Sequence, residues 1–197
     1  MRLGSCSAGL LPATMPAQPS EHASGFLEIP RIAFGKRKSD TSVKKGPSNP
    51  MHIRFSLAWL KPSQAPAKGF KSSAAFSLVR EYAERIGHFL PCEAGAYPAK
   101  TKSCLWVCER GKKSKAVASE ELAKELQKCM NSGAQMLEIV IGGPDGFTDE
   151  ALNEMKPAFR WSFGPMTLPH ELAAAVAAEQ IYRALTILHH QPYHSGH

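Results

Sequence analysis

Leu137-Glu138-Ile139-Val140-Ile141 runs directly into Gly142-Gly143-Pro144-Asp145-Gly146. A near-continuous apolar run of this length reads as a strand covered on both faces, the usual state of a strand in a parallel sheet, whereas a half-exposed strand alternates. The glycines that close it let backbone approach a ligand with no side chain between. A second turn of the same character, Phe163-Gly164-Pro165-Met166-Thr167-Leu168-Pro169-His170-Glu171, follows a short strand at Trp161 to Phe163.

The rest of the chain supplies the other elements of such a sheet. Ile53, Phe55, Leu57 and Trp59 alternate with His52, Arg54, Ser56 and Ala58, which predicts a first strand. Ala75, Phe76, Val79, Tyr82, Ala83 and Ile86 recur at helical spacing, with Gly87 as a stop. Between Phe89 and Lys102 the only expectation is one short strand around Leu90, and Leu105 to Cys108 is a clear second strand. Ser119 before Glu120 and Glu121 predicts a capped helix with Leu122, Leu126, Cys129 and Met130 on its apolar face and Gly133 at its end. A helix from about Thr148 to Met155 and a long final one, with Pro169 in its first turn and its end at Leu188, complete a βαβαβαβα order. The fold class is α/β with a mostly parallel sheet. Ligands of such sheets sit outside the carboxyl ends of the strands. Three turns hold that position here: after Cys108, after Ile141, and Phe163 to Leu168.

Residues 1–50 differ from the rest. They mix Pro, Ser, Ala and Gly with basic clusters such as Gly35-Lys36-Arg37-Lys38, and they hold seven Lys/Arg against three Asp/Glu. They thus supply +4 of the formal net charge of +7, leaving +3 for residues 51–197. We read residues 1–50 as a disordered basic extension or as the product of a mis-chosen start ahead of Met51, and residues 51–197 as one folded domain. A basic surface permits a nucleic-acid partner, because phosphate attraction needs only charge.

Five cysteines without a CxxC pair or matching histidine spacing point to free thiols in a cytoplasmic protein, with no metal site expected. Read as a strand, Cys104-Leu105-Trp106-Val107-Cys108 puts both of its cysteines on one face, as core residues. No run approaches the roughly 18 apolar residues of a membrane span, so no membrane partner is expected. Walker, GxGxxG, GxSxG and HExxH patterns are missing, which argues against triphosphate or dinucleotide binding and against the common hydrolases. The residues left to carry chemistry stand near the C-terminus: Tyr182, Arg183, Tyr193 and His194.

Taken in order, Ile141-Gly142-Gly143-Pro144-Asp145-Gly146, Ser162 to Glu171, Glu179-Gln180-Ile181-Tyr182-Arg183-Ala184 and Pro192-Tyr193-His194 closely resemble the ribosomal RNA large-subunit methyltransferase H family. Glu109-Arg110-Gly111-Lys112, Ser119 to Ala123 and Met51 to Phe55 are similar to that family as well, so the resemblance covers residues 51–197. It implies a SPOUT fold, with a trefoil knot in the C-terminal part of the sheet, and a homodimer that binds S-adenosylmethionine in the knot. It also implies methylation of N3 of a pseudouridine in 23S rRNA within the assembled ribosome. Carried over residue by residue, the cofactor contacts fall on Cys108, Gly142, Phe163, Gly164, Pro165, Met166, Thr167 and Leu168. Arg183, Tyr193 and His194 would arrange the uridine ring, with His194 as general base. The chain departs from the family in having cysteine at 108, where leucine is usual, in a shorter stretch between Phe89 and Cys104, and in residues 1–50. Two other readings stand beside this one: a SPOUT enzyme for another RNA, and a non-catalytic basic RNA-binding or ribosome-associated protein.

Overall fold

Apolar character on both sides of Leu137–Ile141 requires cover on both sides, and the computed structural model places that segment inside the sheet. It describes residues 50–99, 103–111 and 113–194, the last of these without the side chain of His194, and all of them belong to one compact unit. The basic stretch 1–49 lies outside the described residues.

Six strands, β1 (His52–Leu57), β2 (Cys92–Ala96), β3 (Cys104–Cys108), β4 (Lys115–Ala116), β5 (Met136–Ile141) and β6 (Phe159–Ser162), form one sheet in the order β2-β1-β5-β3-β6-β4. Every pairing in it is parallel. All six residues of β5 are buried. Leu137, Ile139 and Ile141 join Ile53, Phe55, Leu57, Trp106 and Trp161 in the larger core, which takes in residues of three helices: α1 (Ser73–Ile86), α2 (Ser119–Asn131) and α4 (His170–Leu188). Val140 and Val107 turn to the other face and pack with Leu152 of α3 (Asp149–Met155).

The one charged residue of β5 is satisfied where it lies. Glu138, 3% exposed, accepts from Ser56 Oγ at 2.5 Å, from the Ala99 amide at 2.8 Å and from Ser103 Oγ at 3.1 Å. Three donors are what a buried carboxylate needs to stay in a core. It thereby holds both flanks of the β2–β3 connection to the sheet.

The elements differ from the sequence reading in several places: β6 runs Phe159–Ser162, two residues earlier than expected, with Phe163 beyond it, and Pro169 is the cap of α4 and not a residue of its first turn. The strand expected around Leu90 is β2, beginning two residues later at Cys92, and Leu90 is a buried residue ahead of it. The first strand ends at Leu57, so Trp59 belongs to the loop beyond. The two-residue β4 was not foreseen. Ser119 is the first residue of α2 and does not cap it; Ala118 holds the cap position, and Ser119 Oγ donates instead to Gln180 Oε1 on α4 at 3.1 Å. Cys104 and Cys108 do share the face that packs into the larger core.

Helix α4 packs against α1 and α2, and its first turn is tied to the start of α1. The Glu171 carboxylate accepts from the Lys71 amide at 2.7 Å and the Ser72 amide at 2.9 Å, where Ser72 is itself the cap of α1. Those amides hold the Glu171 carboxyl below the usual carboxylate range, the Lys71 amide contributing most. A carboxyl depressed on folding adds stability above its unfolded value near pH 4.3, and that stability is lost as pH falls through the folded value. Glu171→Gln is therefore expected to lower unfolding free energy at pH 7 by about 1–3 kcal/mol and to flatten the acid limb below pH ~4, measured by urea melts across pH.

Candidate active site

Register brings four strand ends into one line. Leu57 stands opposite Ile141, Ile141 opposite Cys108, and Cys108 opposite Trp161, so β1, β5, β3 and β6 deliver their loops to the same edge. Backbone bonds carry the alignment just past the strands, from Ala58 N to Ile141 O at 3.0 Å and from Glu109 N to Trp161 O at 2.8 Å. A cavity of about 600 Å³ opens over this line, between the loops after β3, β5 and β6 and the first turn of α4. That volume lies within the range of small-molecule sites, roughly 300–1,000 Å³.

Seven of the eight positions expected to hold a cofactor line it. Cys108 and Gly142 lie at the ends of β3 and β5, and Phe163, Gly164, Met166, Thr167 and Leu168 form the turn after β6. Pro165 belongs to that turn without lining the cavity. The Cys108 thiol is buried, and burial pushes its pKa far up, so it stays protonated and serves as wall rather than nucleophile.

Glycine has a steric reason at Gly142. A Cβ there would come within 3.0 Å of the Phe147 ring and 3.2 Å of the Gly146 Cα. The turn beyond it closes through Gly146 N to Gly143 O at 3.0 Å, with Gly146 at φ +70°. After β6, Gly164 takes φ +94°, a backbone that a residue with a Cβ rarely adopts. Trp59 packs against two residues of the cavity lining, Gly143 and His170. Its Cβ lies 3.6 Å from where a Cβ of Gly143 would be, its indole N–H donates to Gly69 O at 2.9 Å, and its ring meets the His170 ring edge-on at 4.6 Å.

The C-terminal candidates gather elsewhere. Arg183 donates through Nε to Glu179 Oε1 at 3.0 Å, with Nη2 2.9 Å from the same oxygen. Tyr193 OH donates to that oxygen at 3.2 Å, and the Arg183 guanidinium stands 5.0 Å over the Tyr193 ring. Tyr82 OH lies 3.4 Å from Tyr193 OH, and Tyr182 packs edge-on against the Tyr193 ring at 4.8 Å. Burial, the Tyr82 bond and the Glu179 charge together raise the Tyr193 pKa far above that of a free phenol, so Tyr193 is a donor at neutral pH and not a base. His194 ends the 3-10 turn Pro192–His194, and its side chain lies outside the described residues. Neither Arg183 nor Tyr193 lines the cavity. Glu179, on which both converge, stands six residues beyond Ala173, the last residue of α4 to reach the cavity, or about 9 Å along the helix axis.

Glu179 has no role in the sequence reading, where it is only part of a matched motif. The i, i+4 spacing of Glu179 and Arg183 on a helix is the signal that could have shown it.

A family described as predicted SPOUT methyltransferase matches residues 93–194, just over half of the chain. The chain is 36% identical over 132 residues to a ribosomal RNA large subunit methyltransferase H of Psychrobacter sp. (strain PRwf-1), covering 67% of this chain and 76% of that protein. The chain belongs to the SPOUT methyltransferases, in the ribosomal RNA large subunit methyltransferase H family. It is 39% identical over 140 residues to the family member of Koribacter versatilis (strain Ellin345), covering 64% of this chain and 92% of the relative. The match to the member of Xylella fastidiosa (strain 9a5c) is 45% identical over 84 residues and spans about half of that relative's length, 51%. Among the described residues no helix is long and apolar enough to cross a membrane.

Proposed function

We propose that this chain is an S-adenosylmethionine-dependent methyltransferase that acts on N3 of a pseudouridine in 23S rRNA, as a cytoplasmic homodimer working on the assembled ribosome. The observation that carries the reading is the cavity at the aligned strand ends. It is lined by Gly142, the buried Cys108 and residues of the turn Phe163–Leu168. These features suit a cofactor with a flat purine and a short polar tail, which needs apolar walls and close backbone amides and carbonyls. We place the catalytic domain at residues 51–197, and the family's knot in the C-terminal part of the sheet.

S-adenosylmethionine bound here would supply a sulfonium methyl that is already activated. The protein then has to align a ring nitrogen and favour loss of its proton. Arg183 brings positive charge fixed by Glu179, Tyr193 brings a hydrogen-bond donor, and His194 takes the proton. Because Arg183 and Tyr193 lie off the cavity of their own protomer, a second copy completes each site. Leu78 on α1 and Leu172 on α4, exposed at 40% and 41%, are apolar surface that such a pairing would cover.

Two measurements test the proposal. Titration calorimetry should show S-adenosylmethionine binding to the purified protein, and its absence would reduce the chain to an RNA-binding relative. Mass spectrometry of 23S rRNA from a deletion strain should show loss of the methylpseudouridine; an unchanged modification would mean a different RNA substrate.

A further inference from the structure

Among the described residues, Arg110 is the only lysine or arginine that lines the cavity. The neighbouring Glu109 does not neutralise it, because that carboxylate is committed to Arg160 in an ion pair and to the Gly111 amide at 3.2 Å. Asp145, on the opposite loop, is the cavity's other carboxylate. Arg110 is exposed, and its Nη1 donates to the hydroxyl of Thr167, also exposed, on the turn after β6. Met166, 67% exposed, stands beside Thr167 on the same rim. A guanidinium fork is matched to oxyanions, and a single neutral hydroxyl leaves most of its donors to water.

The geometry points to Arg110 as a phosphate-binding residue for the RNA substrate, exchanging its Thr167 partner for a backbone phosphate beside the nucleotide that enters the cavity. This inference rests on the proposed function. On the proposed function, two oxyanions come to this cavity, the carboxylate of the cofactor and a phosphate of the RNA. The exposure of Arg110 and of its Thr167 partner on the turn favours the ligand that arrives from outside.

The test is Arg110→Ala beside Arg110→Lys, with calorimetry for S-adenosylmethionine and initial rates on large ribosomal subunits over a range of salt. For Arg110→Ala the expected result is cofactor affinity within about twofold of wild type, kcat likewise, and KM for the subunits raised about tenfold. The slope of log KM against log salt should fall by about one, the loss of one phosphate contact. Arg110→Lys keeps the charge and should restore the salt slope, with KM between the two. Weakened cofactor binding with an unchanged salt slope would overturn the inference in favour of the cofactor carboxylate. A variant equal to wild type on both measures would overturn it outright. Failure of the wild-type protein to bind cofactor would strike the proposed function instead.

Discussion

Gly142→Val is expected to weaken S-adenosylmethionine binding at least a hundredfold while leaving a folded chain. Already the first carbon of the side chain would meet the Phe147 ring at 3.0 Å and the Gly146 Cα at 3.2 Å. The ring can shift by a few tenths of an ångström; the Gly146 backbone is held in a closed turn by its bond to Gly143 O. The two γ-methyls of valine then either push that turn away from β5 or occupy the cavity that Gly142 lines. Either outcome removes the close backbone approach that glycine permits at this position. A hundredfold loss corresponds to about 2.7 kcal/mol, modest for a site built on backbone contact. Calorimetry reads the affinity, and far-ultraviolet circular dichroism shows whether the sheet survives. Binding within threefold of wild type would mean that the cofactor does not lie against this loop.

Arg183→Ala is the second large effect. Its single-turnover methyl transfer should fall about 10²–10³-fold, the usual consequence of removing one preorganised charge from a developing anion. Cofactor affinity should hardly change, since Arg183 does not line the cavity. Arg183→Lys should recover little, because two nitrogens of the guanidinium meet Glu179 together and the plane lies over Tyr193. Equal losses in binding and in rate would show that the substitution disturbs α4 as a whole and that no separate chemical role exists.

The two halves of the site were not equally legible. Strand ends and glycine turns are local signals, so Cys108, Gly142 and the turn from Phe163 could be found from the order of residues, and the cavity unites them. Where local signals compete with tertiary partners, the reading slipped. β2 carries Gly95, over which the Arg54 guanidinium lies, with Nη2 2.5 Å from a Cβ built there; a glycine inside a strand hides that strand from propensity. Ser119 looks like a cap yet answers to Gln180, 61 residues away. β4, two residues long, has no period to detect. Separation of Arg183 and Tyr193 from the cavity depends on how far α4 extends past its first turn, a distance that motif order does not carry. Arg110 and Glu179 sat within matched motifs, but their partners Thr167 and Tyr193 come from other segments.

Helix α4 also acts as a ruler. It touches the cavity near its start, carries Glu179 and Arg183 further along, and its 19 residues span about 28 Å. Insertion or deletion of a single residue between Ala173 and Glu179 would turn everything beyond it by about 100° and move it by about 1.5 Å. Ile181, Ala184 and Leu185 would leave the core at the same stroke. The loops around the cavity can change length at little cost to the fold, whereas this helix can drift in composition but not in residue count.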